Sequence, residues 1–529
     1  MHKVILSILS VLCLTPLFGQ GQISGDLMLN SNFFMRDSSR LAYGNPQYSH
    51  QLYGADGWLA LNYSNNDFSA GVRFDMHQNS NLHAPLQSYS DQGIGRWFVS
   101  QKIDKLQITG GYFYDQFANG IVFRAFEART LGIDNAVFGL QAKYQLLENL
   151  ELKGFTGRQR NRFELFEPIM RGANLNGNFK IGKVYLNPGL STVSRTLDNT
   201  SMNSIISAIN QQDFSTRFAP KYNVYVSSVN NSLSYKRWTW DMEIAMKTPE
   251  ALFVAGDGNG QRYELRKGSV IYQSLTYTKK GLGITGQYKR TENFSFRVSP
   301  TETGLRGVIN YLPPLTRQNS YRLPARYAAQ SLELSEQALQ MEVVFKLNKR
   351  WKGVVNGSYV TDLDNNLMFK EAYAEFTYKL NKKTKLKPGL QHLQLDQQTY
   401  GLKGKGLLTS IVPFFEIQRK LAKKKSFRLE TSVMNTAEDF GSWTWWLVEY
   451  NWAPKWSFSV SDMFNYDPND KFVTAGPLHY PTIFTAYSHH ASRYTLAYVK
   501  QVEGIVCTGG VCRYEPAFSG VRFSMSTNF

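Results

Sequence analysis

Residue types that could do chemistry are scattered through the 529-residue sequence, but few stand at a spacing that does it. No Gly-x-Ser-x-Gly, His-Glu-x-x-His or P-loop sequence occurs, so the local signatures of an acyl hydrolase, a zinc peptidase and a phosphate-cradling loop are absent. The eight histidines are dispersed apart from His489-His490. Asp362-Leu-Asp364-Asn365-Asn366 and Asp257-Gly-Asn259-Gly260 concentrate oxygen ligands. Neither ends in the glutamate that closes a calcium loop, so both read as turns. Cys507 and Cys512 flank Thr-Gly-Gly-Val. That pair suits a disulfide at a hairpin tip in an oxidising compartment, with two free thiols as the alternative. A zinc site is not expected from one pair with no histidine beside it. The sequence therefore points to no enzyme, cofactor or metal, although a site assembled from distant strands would leave no local motif.

The densest group of charged residues is Arg124, Glu127 and Arg129, at helical spacing with Phe123 and Phe126 between them, followed by Asp134. The elements that must carry it are strands. Phe68, Ala70, Val72, Phe74 and Met76 alternate with Ser69, Gly71, Arg73 and Asp75. Trp238, Trp240, Met242, Ile244 and Met246 alternate with Thr239, Asp241, Glu243 and Ala245. Leu339, Met341, Val343, Phe345 and Leu347 alternate with Gln340, Glu342 and Lys346. Strand side chains switch faces at every residue, so each set points one way. Aromatics at 14 %, 41 glycines and a mean hydropathy of −0.35 fit strands that are half lipid-facing and half lumen-facing.

Very short polar connections recur at Asn65-Asn66, Asp104, Glu148-Asn149, Gly182, Lys236-Arg237, Lys279-Lys280, Asn348-Lys349, Asn381 to Lys383, Lys423 to Lys425, Ala453-Pro454 and His489-His490. Longer irregular segments separate them. Tight turns alternating with long loops is the asymmetry between the periplasmic and outer rims of a membrane barrel. The spacing predicts an all-β fold over 21–529: one large transmembrane antiparallel β-barrel of about 24 strands, with 22 as the alternative. Trp452 and Trp456 flank a turn as an interfacial girdle would. The last strand, Val521 to Phe529, ends on an aromatic, similar to the signal that barrel-assembly machinery reads. Residues 1–20 carry Lys3 and an apolar run from Val4 to Phe18, which reads as a secretory signal peptide. The expected location is a bacterial outer membrane.

The formal net charge of +18 does not indicate nucleic acid, because much of the lysine excess falls at the short turns. There it can snorkel to anionic lipid headgroups or meet an acidic periplasmic partner. Arg or Lys on the lipid face costs about 2–4 kcal/mol at mid-membrane. The strand charges are therefore assigned to the lumen: Arg73, Asp75, Asp241, Glu243, Lys289, Glu342, Lys346, Glu371, Glu375, Arg428, Glu430 and Arg522.

The segment Tyr114-Asp-Gln116-Phe117-Ala-Asn-Gly120, with Arg124, Glu127, Arg129 and Leu131-Gly132-Ile-Asp134-Asn135 after it, resembles a family of uncharacterised outer-membrane barrels from Bacteroidota. The resemblance implies fold and location and brings no activity. The Arg124–Asp134 loop is either a constriction folded into the barrel, paired with the lumen wall, or a surface loop with a short helix. Residues 292–336 form the longest connection, with helix formers from Ala328 to Ala338, and serve as lid, partner contact or plug. A third loop, 196–220, carries an Ile205-Ile206-Ala208-Ile209 patch that could pack inside. Two functions follow. The first is a solute pore with a loop-constricted lumen. The second is a non-transporting barrel acting as scaffold or subunit of a secretion or envelope complex, which a plugged lumen would favour. Expected partners are outer-membrane lipids, the assembly machinery during biogenesis and other envelope proteins.

Overall fold

The computed structural model describes residues 21–529 except 256–260, 474 and 509–510, and omits the side chains of 255, 261, 506–508 and 511–512. The segment read as a signal peptide and the Asp257–Gly260 turn lie outside the described residues. Among those described, twenty-four antiparallel strands close one barrel. The main sheet has 25 segments because one strand is interrupted at Asn178, and both its pieces, Glu164–Gly177 and Phe179–Ile181, pair with Val184–Thr196. The first strand, Gln22–Phe34, pairs with Tyr53–Asn65 on one side and with the last strand, Phe518–Asn528, on the other. Gly25 and Phe529 exchange both backbone hydrogen bonds at 2.7 and 3.0 Å. Closure removes the unpaired edge that an open sheet would present.

All the short connections read from the sequence are tight turns, and they share one rim with Phe529. Asn66, Asp104, Lys236 and His490 take positive φ there, as two-residue hairpins with the native strand twist require. The long connections share the other rim. At the short-turn rim Trp238, Trp351, Trp452 and Trp456 stand exposed on the outside, with Trp452 opposite Trp456 in register.

The two faces of the wall separate as the alternation requires. Val72 and Phe74 are exposed outward, whereas Arg73 and Asp75 between them are 2 % and 1 % exposed. Ile244 and Met246 face out while Glu243, Ala245 and Lys247 are buried. Burial of the inward face also changes along each strand. In Leu407–Ala422 the inward residues Leu408, Ser410, Val412, Phe414 and Glu416 are buried, and Lys420 and Ala422 nearer the turn are exposed. In Asn223–Tyr235 Val224, Val226 and Ser228 are buried, and Asn230, Ser232 and Ser234 are half-buried. The lumen is therefore filled in its long-loop half and opens as a polar vestibule toward the short turns.

Candidate functional site

The filling comes mainly from two long loops, with Tyr400, Phe440, Val473 and Val502 added from other connections. Loop 114–136 joins Leu106–Phe113 to Val137–Leu147, and loop 293–334 joins Leu282–Glu292 to Ser335–Lys346. Phe117, Ile121, Val122 and Phe123 of the first, with Phe294, Phe296, Val298, Ile309, Leu315 and Leu323 of the second, form one continuous apolar core with the wall. Wall partners include Met170, Val226, Ala245, Val270, Phe369, Leu395 and Val412. The loops also bind each other. Arg124 N–H donates to the Ile309 carbonyl, and Tyr311 N–H donates to the Gly120 carbonyl, both at 2.9 Å. Neither loop forms the helix its spacing suggested. Asp115–Gln116 pairs with Arg124–Ala125 and Glu127–Ala128 with Ile133–Asp134, leaving one 3-10 turn at Arg129–Leu131. Residues 328–334 are irregular, and 335–338 begin a strand. Chain-to-chain and chain-to-wall contacts satisfy these segments better than an isolated helical turn, whose nucleation is unfavourable.

Charged side chains fix the loops to the wall. Arg73 donates to both oxygens of Asp75 at 2.6 and 2.8 Å, to Glu127 at 2.5 Å and to Asp134 at 2.6 Å. Arg160 donates to Asp75 at 2.7 Å and to Asp134. Arg129 bridges Glu127 at 2.6 Å and Asp26 at 2.5 Å, and the Tyr114 hydroxyl donates to Asp134 at 2.9 Å. Arg73, Asp75, Glu127, Arg129 and Asp134 are thus one network. Arg124 stands apart from it: its guanidinium lies over the rings of Phe126 and Tyr311, 4.4 and 4.2 Å from their centroids, a cation–π arrangement rather than the wall ion pair expected.

Glu243 accepts the Asn119 backbone N–H and side-chain amide at 3.1 and 3.0 Å, and the Ser228 hydroxyl at 3.0 Å. Glu371 accepts from Asn319 at 3.0 Å and Gln391 at 2.7 Å, holding loop 293–334. Glu342 pairs with Arg317, and Glu375 accepts the Tyr373 hydroxyl at 2.8 Å. Arg428 sits among Glu416, Glu430 and Glu449, and Glu430 also accepts the Trp445 indole N–H at 3.0 Å. Asp241 lies half-buried next to the vestibule, with no ion pair among the described residues. Cys507 and Cys512 are register partners in the ribbon Gly504–Thr508 and Val511–Glu515, while their side chains lie outside the described residues. Asp362 forms a plain turn, its carboxylate accepting the N–H groups of Asp364 and Asn366 at 3.0 and 2.8 Å. Ile205 and Ile209 pack inward from the helix Asn199–Asn210, capped by Asp198, and Ile206 stays exposed.

Other anchors were missed in the sequence. Lys247 pairs with Glu250 at 2.5 Å and donates to the Ser295 carbonyl at 2.6 Å, and Arg195 reaches Glu250 at 2.8 Å. Lys289, assigned to the lumen, pairs with Glu336 at 2.7 Å and donates to the Pro313 carbonyl and Ser331 hydroxyl at 2.6 Å. The Tyr327 hydroxyl donates to Asp439 at 3.0 Å. Beside the Arg73 network, His83 is driven down to a pKa of about 4 by burial, then by the nearby His77 and Arg162, so its ring is neutral at pH 7.

A family model matches residues 1–529. The chain belongs to DUF6029, a family of unknown function. No curated protein matches it. Among solved structures it is similar to the siderophore receptor PirA from Pseudomonas aeruginosa, at 8 % identity and TM-score 0.41, covering 97 % of this chain and 81 % of that one. It is similar too to the P pilus usher (PapC) translocation pore, at 11 % identity and TM-score 0.45, covering 96 % and 99 %. A third is the FrpB iron transporter from Neisseria meningitidis, at 8 % identity and TM-score 0.39, covering 96 % and 81 %.

Proposed function

We propose that this DUF6029 member is an outer-membrane barrel closed by its own loops, serving as a membrane-embedded scaffold or subunit of an envelope complex rather than as an open solute pore. The observation that carries this reading is the apolar core inside the lumen. An aqueous channel needs polar inward positions along its whole length, and here Val224, Val226, Leu408 and Val412 point inward and are fully buried against the loops. Withdrawing only Phe123, Phe294 and Phe296 into water costs ~1.5–3 kcal/mol each, which leaves roughly one barrel in 2,000 or fewer open at rest. The exposed apolar belt and the tryptophans at the short-turn rim support a lipid setting, with the short turns facing the periplasm. That orientation presents the long-loop rim outward and a basic rim of Lys382, Lys383, Lys423 and Lys424 to anionic headgroups or acidic periplasmic partners. We place its source in Bacteroidota on the strength of the Tyr114–Asn135 segment.

Planar-bilayer recording of the purified chain tests the reading. The intact protein should be silent, and a variant with residues 300–330 replaced by a short Gly-Ser linker should conduct. A steady large conductance from the intact, folded protein would reject the closed-scaffold reading.

A further inference from the structure

A cavity of ≈ 480 Å³ lies at the long-loop rim, bounded by the wall and by segments of loops 81–88, 114–136, 293–334 and 502–517. That volume lies within the range of small-molecule sites. Its floor is the buried Arg73 network, and its mouth is flanked by Leu305, Arg306 and Tyr514, which are exposed. Six arginines line it against three carboxylates, Asp75, Glu127 and Asp134. The floor arginines are consumed by those carboxylates and by Asp26. Three arginines remain nearer the mouth: Arg162, Arg306 and Arg513.

Arg162 is the most informative. It is half-buried, its guanidinium lies 4.5 Å from the centre of the Tyr89 ring, and its side-chain N–H groups meet no acceptor among the described residues. A half-buried cation beside a cavity and without a counter-ion points to a ligand that supplies one. Arg306 pairs with Glu302 at 3.2 Å, lies 5.9 Å from the centre of the Phe166 ring and is 57 % exposed at its side chain, so its ion pair is weak enough to exchange. Arg513 donates to the Leu82 carbonyl at 3.1 Å and pairs with Glu515, which is not part of the lining. Guanidinium groups match carboxylate and phosphate oxygens in planar, bidentate fashion. Trp58, Phe166 and Ile505 supply apolar wall for the body of such a molecule.

We propose that this cavity binds a small soluble organic oxyanion, carrying carboxylate or phosphate groups, through Arg162, Arg306 and Arg513. The site goes beyond the scaffold reading, because a closed lumen needs no ligand and a ligand needs no open lumen. Isothermal titration of the full-length chain in detergent, with citrate and glucose 6-phosphate as probes and glucose at matched ionic strength as control, tests it. At least one anion should bind with a dissociation constant below 1 mM at the ionic strength used, with no heat from glucose. Arg162→Gln should weaken that affinity about tenfold, as one lost charged hydrogen-bond pair would. Arg306→Gln should weaken it less. Lys420→Gln, in the vestibule, is the control and should leave affinity unchanged. Lipid A micelles are the second arm. Binding of lipid A without either soluble anion would assign the arginines to lipopolysaccharide phosphate and overturn the proposal. So would absence of binding in a folded wild type, or affinity that Arg162→Gln leaves unchanged. Silence in bilayers alongside absent binding would leave the closed barrel standing.

Discussion

Arg73→Met is the most incisive single change at the junction between wall and loop. The side chain is buried and donates to three carboxylates, two of which, Glu127 and Asp134, belong to loop 114–136. The network holds four acids, Asp26, Asp75, Glu127 and Asp134, against Arg73, Arg129 and Arg160, so its formal charge is 3 − 4 = −1. Removing Arg73 makes it −2 and leaves two arginines for four carboxylates. Methionine preserves most of the volume, so the change is chiefly electrostatic. Breaking a buried ion pair by removing one partner costs about 3–5 kcal/mol. Here the loss falls on the attachment of the loop, since the wall strand Phe68–Ser80 keeps its ladder on both sides. At 1.36 kcal/mol per decade this raises the detached-to-attached ratio of the loop by roughly 150- to 5,000-fold. Limited proteolysis at Arg124 and Arg129 in intact proteoliposomes reads that ratio. Cleavage by trypsin should be undetectable in the wild type and rapid in the variant, with the heat-resistant barrel band retained on gels. An Arg73→Met protein that resists trypsin as the wild type does would refute the assignment of the network as the loop's anchor.

Phe123→Ala should cost about 3–5 kcal/mol, because the ring is buried and stacks on Phe155 at 4.5 Å; a lowered first unfolding transition in calorimetry checks it. Acidification should loosen the packing around loop 81–88. His83 has a folded pKa of about 4 against about 6.5 for an ordinary imidazole, so the unfolded form takes up its proton first and stability falls as pH drops from about 6.5 to 4. His83→Gln should flatten that part of the stability-versus-pH curve. The ion pairs of Asp37 with Arg40 and Lys500 act lower. Burial raises its pKa, Lys500 and Arg40 more than offset this to about 2, and their contribution should persist above pH 4 and vanish only as pH falls through 2. Ile244→Lys, on the exposed outward face, should destabilise the barrel by about 2–4 kcal/mol in urea titrations in phospholipid vesicles.

The strand-level fold was legible because two periodicities agree. Phe68 to Met76 and Trp238 to Met246 alternate, and the turn at Asn65-Asn66 carries asparagine, which tolerates left-handed backbone. The lumen filling was less legible, although one trace was present. In a water-filled barrel inward positions are polar, yet Leu407-Leu408 and Ile411-Val412 are apolar on both faces, as is Val224-Tyr225-Val226. Those runs mark where the wall has a protein partner on the inside. The ion pairs were opaque. Arg195, Lys247 and Glu250 meet across strands and a bulge, and Lys289 meets Glu336 across a 42-residue loop, so no local spacing announces them. Of the two readings of the Arg124–Asp134 loop, the inserted one pairs its charges with the wall, and Arg124 departs from it. The β-bridges of the loop turn it instead toward Phe126 and Tyr311.

Thiol accessibility along one strand measures the central claim most directly. Ser410→Cys and Lys420→Cys both face the lumen in Leu407–Ala422; Ser410 is 2 % exposed in the filled half, and Lys420 is exposed in the vestibule. In a background lacking Cys507 and Cys512, a membrane-impermeant maleimide should label position 420 from the short-turn side and leave position 410 protected from both sides until the barrel is unfolded. Fast labelling of position 410 in the folded barrel would mean that water reaches through the lumen, and that the loops do not close it.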